Sequence, residues 1–167
     1  MKVLVACEFS GIVRDAFIAR GHDAVSCDLL PSERPGPHIE ADVRSLDLSG
    51  YDLMIAHPPC TRLAVSGARW FAQYRDEQDE ALAFVQWLMD APVPHIAIEN
   101  PVSVISSRIR RPDQIVQPWM FGHGETKATC LWLKGLPKLE PTTVVEGREG
   151  RGWKMGPSPD RARLRSQ

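Results

Sequence analysis

The chain has 167 residues, 43% of them hydrophobic and 25% charged, with a formal charge of −1. That is a domain able to bury a sizeable core, and the composition excludes wholesale disorder. No apolar run is long enough to cross a bilayer, Glu8 interrupts the N-terminal stretch too early for a secretory signal, and the balanced charge argues against coating nucleic acid through bulk electrostatics, though not against a local basic groove.

Taken in chain order, Lys2–Cys7 (KVLVAC) is a β-branched apolar run that predicts a buried strand. In Ser10–Gly21, Ile12, Ala16, Phe17 and Ile18 have helical spacing, with Ser10 as the expected cap and Gly21 as the stop. Residues 22–28 (HDAVSCD) predict a second strand. Three prolines and a glycine in residues 29–38 predict a loop, and Tyr51–His57 (YDLMIAH) a third strand. Residues 76–92 begin with an acidic turn and carry Ala81, Leu82, Phe84, Val85, Leu88 and Met89 on one face, which predicts an amphipathic helix ended by Pro92. Residues 94–101 (PHIAIENP) predict another buried strand, stopped by Pro101 as Pro58 stops the one before it. KATCLWLKGLP (residues 127–137) reads as one more strand and a turn. The alternation predicts an α/β domain over 1–140, with a mainly parallel sheet and helices on both faces. From Pro141 the chain is rich in Gly, Pro and Arg without apolar periodicity, so 141–167 is expected to be a tail, loop or disordered unless something binds it.

In such a sheet, ligands gather outside the carboxyl ends of the strands. Those ends carry Cys7-Glu8-Phe9, Cys27-Asp28, His57-Pro58-Pro59-Cys60 and Glu99-Asn100-Pro101. Two prolines cannot continue a sheet interior and stiffen the backbone around them, so Cys60 is held firmly at a strand exit. Alone, such a cysteine is as readily a core filler. Cys7 and Cys27 lack comparable partners and read as packing residues, and Cys130 sits inside an apolar strand. The four cysteines form no C-x-x-C pair, which points to reduced thiols in a cytosol rather than a zinc knuckle or a disulfide framework.

Pro-Pro-Cys after one buried strand and Glu-Asn-Pro after the next resemble the signatures of the cytosine-carbon-5 DNA methyltransferase family, and most closely its small phage-associated members. The resemblance runs from VACEFSG through PPCT and AIENP to KATCLWLKGLP. It implies a Rossmann-like methyltransferase fold and methyl transfer from S-adenosylmethionine to carbon 5 of cytosine in DNA, single-stranded or flipped from a duplex. Cys60 would add to carbon 6 as nucleophile, Glu99 would protonate N3, and Asn100 would fix the local backbone. The prolines suit that task, since about 1 Å of misplacement can cost roughly a hundredfold in rate. Cofactor contacts would come from Phe9 and Gly11 of an F-x-G-x-G-like turn, and from Asp28, Asp42 and Pro58. Asp28 and Asp42 read equally as a strand-end turn residue and a helix cap.

Several positions depart from the family. Val13 replaces the second glycine of the turn. In place of Q-x-R-x-R stand Glu125, Lys127 and Thr129, which leaves Lys127, Arg62 and Arg69 as candidates for holding the substrate. Trp70 and Phe71, beside Arg69, are expected in the core. The arginines of SSRIRRP (106–112) and of the tail, where Trp153 sits among them, suit phosphate contact or a solvated surface. About 25 residues between Pro101 and Lys127 leave no room for a separate DNA-reading module, so sequence selectivity is expected to be low or to depend on a partner chain. The small-residue segment that closes the family's fold beside the first strand has no counterpart here. Val3–Ala6 are therefore expected to be under-covered, so that the protein either self-associates through that face or is marginally stable as a monomer.

Overall fold

The computed structural model describes residues 1–146, and seven strands within them form one sheet. Strands β1 (Lys2–Ala6), β2 (Asp23–Asp28), β3 (His38–Glu40), β4 (Leu53–Ala56) and β5 (His95–Pro101) are parallel. Strand β7 (Thr129–Lys134) runs antiparallel to β5, and β6 (Gln114–Val116) antiparallel to β7. The order is β3-β2-β1-β4-β5-β7-β6. The chain moves one way from β1 to β3 and the other way from β4, so the junction of β1 and β4 is a topological switch point, where α/β sheets open a crevice.

Side-chain alternation sorts the core into two layers. Leu4, Ala6, Met54, Ala56, Ile96 and Ile98 pack in one cluster with Leu82, Val85 and Leu88 of helix α2 (Arg75–Met89). Val3, Val5, Ala24 and Leu53 pack in the other with Val13 and Phe17 of helix α1 (Ile12–Ile18) and with Leu136. Burial on both faces is why the parallel strands read as continuous apolar runs. Among the described residues no helix is long and apolar enough to cross a membrane.

Several expectations change. Val3, Leu4, Val5 and Ala6 are all 0% exposed, so the under-covered face does not exist. Helix α1 and Leu136 cover the side that was expected to be bare, which removes the physical reason given for self-association. Strands β3 and β6 are three residues each, too short for a periodicity to show. Residues 141–146 are not a free tail: Gly122 N donates to Thr143 O (2.8 Å), Thr142 N to Met120 O (3.2 Å) and Val145 N to Trp119 O (2.9 Å). The arginines and Trp153 beyond 146 lie outside the described residues. Trp70 is 49% exposed and Phe71 only half-buried, because the 3₁₀ turn Val65–Trp70 lies on the surface rather than under a layer.

Candidate active site

The β4–β5 register pairs Ala56 with Ile98, so the next residues, His57 and Glu99, come side by side. His57 Nδ1 lies 3.2 Å from Glu99 Oε2, within hydrogen-bond distance. The His57 N–H donates to Ala6 O at 3.0 Å, extending the β1–β4 pairing one step. Asn100 is 1% exposed, and its Nδ2 donates to Pro58 O at 2.8 Å. That bond ties the Pro-Pro-Cys turn to the Glu-Asn-Pro strand. Cys60 O accepts from Leu63 N (3.0 Å) and Ala64 N (2.9 Å), so Cys60 heads a tight turn. The turn is stitched to the chain beyond Pro101 by Val65 N to Val102 O (3.1 Å) and Val104 N to Leu63 O (3.0 Å). Cys60 itself is exposed and unbridged, whereas Cys27 and Cys130 are buried.

Among the described residues, three buried side-chain atoms have no hydrogen-bond partner: His57 Nε2, Asn100 Oδ1 and Ser103 Oγ. All three belong to these two stitched stretches. Buried polar groups are normally satisfied, and these three exceptions all sit at the ends of β4 and β5 or just beyond them.

On the β1 side, Cys7 adopts a left-handed φ of 58°, which a non-glycine residue adopts only under constraint. The helix cap is not Ser10. Gly11, at φ 73°, is the cap residue, and the buried carboxylate of Glu8 supplies the acceptors, taking Val13 N at 2.8 Å and Arg14 N at 3.4 Å. A charge at the positive end of the helix does this better than a hydroxyl. Arg14 is 0% exposed. Its guanidinium donates to Ser32 Oγ (3.1 Å), Pro35 O (3.1 Å) and Asp15 Oδ1 (2.9 Å), and so gathers the proline-rich loop over the β1–α1 turn. The loop is closed by Glu33 N donating to Phe9 O at 2.8 Å. A methyl on Gly11 or Gly36 would come within 2.5 or 2.7 Å of Arg14 Nη2, so both glycines make room for that guanidinium.

Asp28 ends β2, where its Oδ1 accepts from Leu30 N at 3.0 Å. Asp42 caps the turn Val43–Ser45 through Arg44 N (2.9 Å) and also pairs with the Arg44 side chain, which holds its carboxyl below the usual range. Burial, then the carboxylate of Asp28, the Cys27 thiol and the carboxylate of Asp42, push the Cys7 thiol up to about 12. Burial followed by the same two carboxylates takes Cys27 to about 11. Asp28 and Asp42 therefore act electrostatically on the same pair of strand ends. Asp28 has one oxygen held by its turn. Asp42 has both oxygens engaged by Arg44, and the space beside Gly11 belongs to Arg14.

The basic candidates divide. Arg62 donates to Glu77 at 2.6 Å and lies 3.8 Å over the Tyr74 ring. Arg69 stacks 5.1 Å from the exposed Trp70 ring. Thr61, Arg62, Gly67, Trp70, Phe71 and Tyr74 surround a hollow of about 30 Å³ directly after Cys60. Lys127 is exposed two residues before β7, whose Thr129 pairs with Pro101, so it neighbours the Glu-Asn-Pro end. Arg108 and Arg110 bind Asp79 (3.0 Å) and Asp113 (2.8 Å) within the chain.

Sequence reasoning gave His57, Glu8, Arg14 and Ser103 no role. The histidine directly before Pro-Pro-Cys was visible, but only the β4–β5 register reveals its partner. No protein-family model matches the chain, and no curated protein matches it either.

Proposed function

We propose that this protein is a Rossmann-like methyltransferase that methylates carbon 5 of cytosine in DNA, working in the cytosol. The observation that carries the reading is the Asn100–Pro58 bond. It ties the proline-stiffened turn that carries an exposed cysteine to the neighbouring strand that carries Glu99, next to a switch point. S-adenosylmethionine would supply an electrophilic methyl group, with Asp28 as the residue best placed to hold its ribose.

In this reading the Cys60 thiolate bonds to carbon 6 of a flipped or single-stranded cytosine, while the carboxyl proton of Glu99 passes to N3. Carbon 5, now enamine-like, would take the methyl group as its bond to the sulfonium sulfur breaks, with S-adenosylhomocysteine as the leaving group. Loss of the carbon 5 proton to solvent then expels Cys60 as thiolate, and N3 returns its proton to Glu99. Asn100 holds the turn in place, Lys127 would meet a phosphate or carbonyl, and Arg62 or Arg69 would bear base recognition. Sequence selectivity would be low or come from a partner chain.

A second reading, an inactive methyltransferase-like protein that binds nucleic acid or cofactor, is favoured by Asp42, whose oxygens Arg44 already occupies. Incubation with 5-fluorocytosine DNA and S-adenosylmethionine separates the two, because fluorine cannot leave as the proton does. Intact mass should show an adduct that Cys60→Ser abolishes. No adduct, where a control cytosine methyltransferase forms one, leaves the inactive reading standing.

A further inference from the structure

We infer that His57 is a positioning residue for Glu99: its Nδ1–H occupies Oε2 and so fixes the carboxyl proton on Oε1, the oxygen left for the base. The inference rests on the reading above. His57 Nδ1 lies 3.2 Å from Glu99 Oε2, and His57 Nε2 is buried without a partner. A proton on Nε2 would be a buried donor with nothing to accept it, which is costly. A proton on Nδ1 instead sits on the nitrogen that faces the carboxyl group, where it has an acceptor.

Consider then what Glu99 must do. To protonate N3 it has to present an O–H to the base, and a carboxylic acid can carry that hydrogen on either oxygen. An oxygen accepting from His57 cannot at the same time point a proton along that line. Oε2 thus stays the carbonyl-like oxygen and Oε1 takes the hydrogen. Among the described residues Oε1 makes no hydrogen bond, so it is free for a ligand. His57 also pins the side chain's rotation, since its own backbone is fixed by the bond from His57 N to Ala6 O at 3.0 Å. Glu99 is 27% exposed on its side chain and would otherwise swing among rotamers in water. No proton leaves His57 in this role, and the proton given to N3 and later recovered is Glu99's own.

The test has two arms. In the first, adduct formation with 5-fluorocytosine DNA and S-adenosylmethionine is timed for His57→Ala and His57→Asn, with melting temperatures as a fold control. Asn places an N–H where Nδ1 stood. The expected result is a fall of about tenfold or more for His57→Ala and a rate within roughly threefold of the parent for His57→Asn. In the second arm, ¹⁵N shifts of His57 report its tautomer in the parent and in Glu99→Gln. The Nδ1–H form is expected, with resonances that move when Glu99 is changed. Equal rates for all three proteins, or Asn as slow as Ala with folding intact, overturns the inference while leaving the methyltransferase reading in place. An Nε2–H tautomer, or shifts blind to Glu99→Gln, overturns it whether or not an adduct forms. If the ring behaves as expected but the parent forms no adduct, the methyltransferase reading falls, and the catalytic meaning of the pair falls with it.

Discussion

Asn100 shows how much one buried side chain can govern. Its Nδ2 satisfies Pro58 O, while its Oδ1 goes unsatisfied at about 1–3 kcal/mol. Keeping that cost makes sense only if the orientation of the donor matters more than the loss at the acceptor. Asn100→Ala removes the useful bond and the orphaned oxygen together, so its net effect on stability should be small, about 1 kcal/mol. Asn100→Asp sets an acceptor against the Pro58 carbonyl in a buried place and should cost about 1–3 kcal/mol more than alanine at neutral pH. The gap should narrow as the pH falls and the new carboxyl gains a proton to donate. Urea denaturation of both variants at two pH values checks this, and equal midpoints for the pair would mean the Pro58 contact is not formed.

At the scale of elements, the joint most dependent on a single residue is the proline-rich loop folded over the β1–α1 turn. Its backbone groups are collected by Arg14, an ion taken wholly out of water and accompanied by the half-exposed Asp15. Such a charge is retained because many donors are satisfied at once, not because the pair itself is worth much. Replacing it by methionine keeps the volume and removes the donors. Arg14→Met should therefore loosen residues 29–37 while sparing the sheet. Hydrogen exchange should show the Glu33 amide, now bonded to Phe9 O, exchanging about tenfold faster or more, with the amides of β1 and β4 unchanged. Uniform loss of protection would mean that Arg14 supports the whole fold. If the turn holds a cofactor, the same variant should also weaken its binding, because the loop is packed on Phe9.

For the molecule as a whole, the thiols at the ends of β1 and β2 set an alkaline limit. Cys7 and Cys27 are raised from an ordinary 9.0 to about 12 and about 11 by burial and by the carboxylates of Asp28 and Asp42. Between those values the unfolded chain releases protons that the folded protein keeps. The stability they contribute is thus fully present below pH 9 and is lost as pH rises toward 11 and 12. Each thiol can account for at most about 1.4 kcal/mol per pH unit in that window. The double variant Cys7→Ala, Cys27→Ala should show a shallower decline from pH 9 to 11 in denaturation midpoints. Parallel declines would assign the alkaline sensitivity to other groups.

The sequence by itself determined the parts of this protein that are repeated along the chain. Four of the five parallel strands and helix α2 announce themselves because burial on two faces demands unbroken apolar runs, and burial on one face demands a period near 3.6. The strand ends holding Asp28, Cys60 and Glu99 were legible for the same reason, since parallel strands must all finish on one rim. Only the tertiary structure decided which ends touch. That His57 meets Glu99, that Asn100 holds Pro58, and that Glu8 rather than Ser10 caps α1 each depend on register and on a side chain's reach across 5 to 42 residues of sequence. Hydrogen bonds of that kind leave no period in the chain, because they are made once, between residues brought together only when the sheet forms. Strands β3 and β6 escaped notice on the same principle: three residues have no pattern until a neighbouring strand pairs with them.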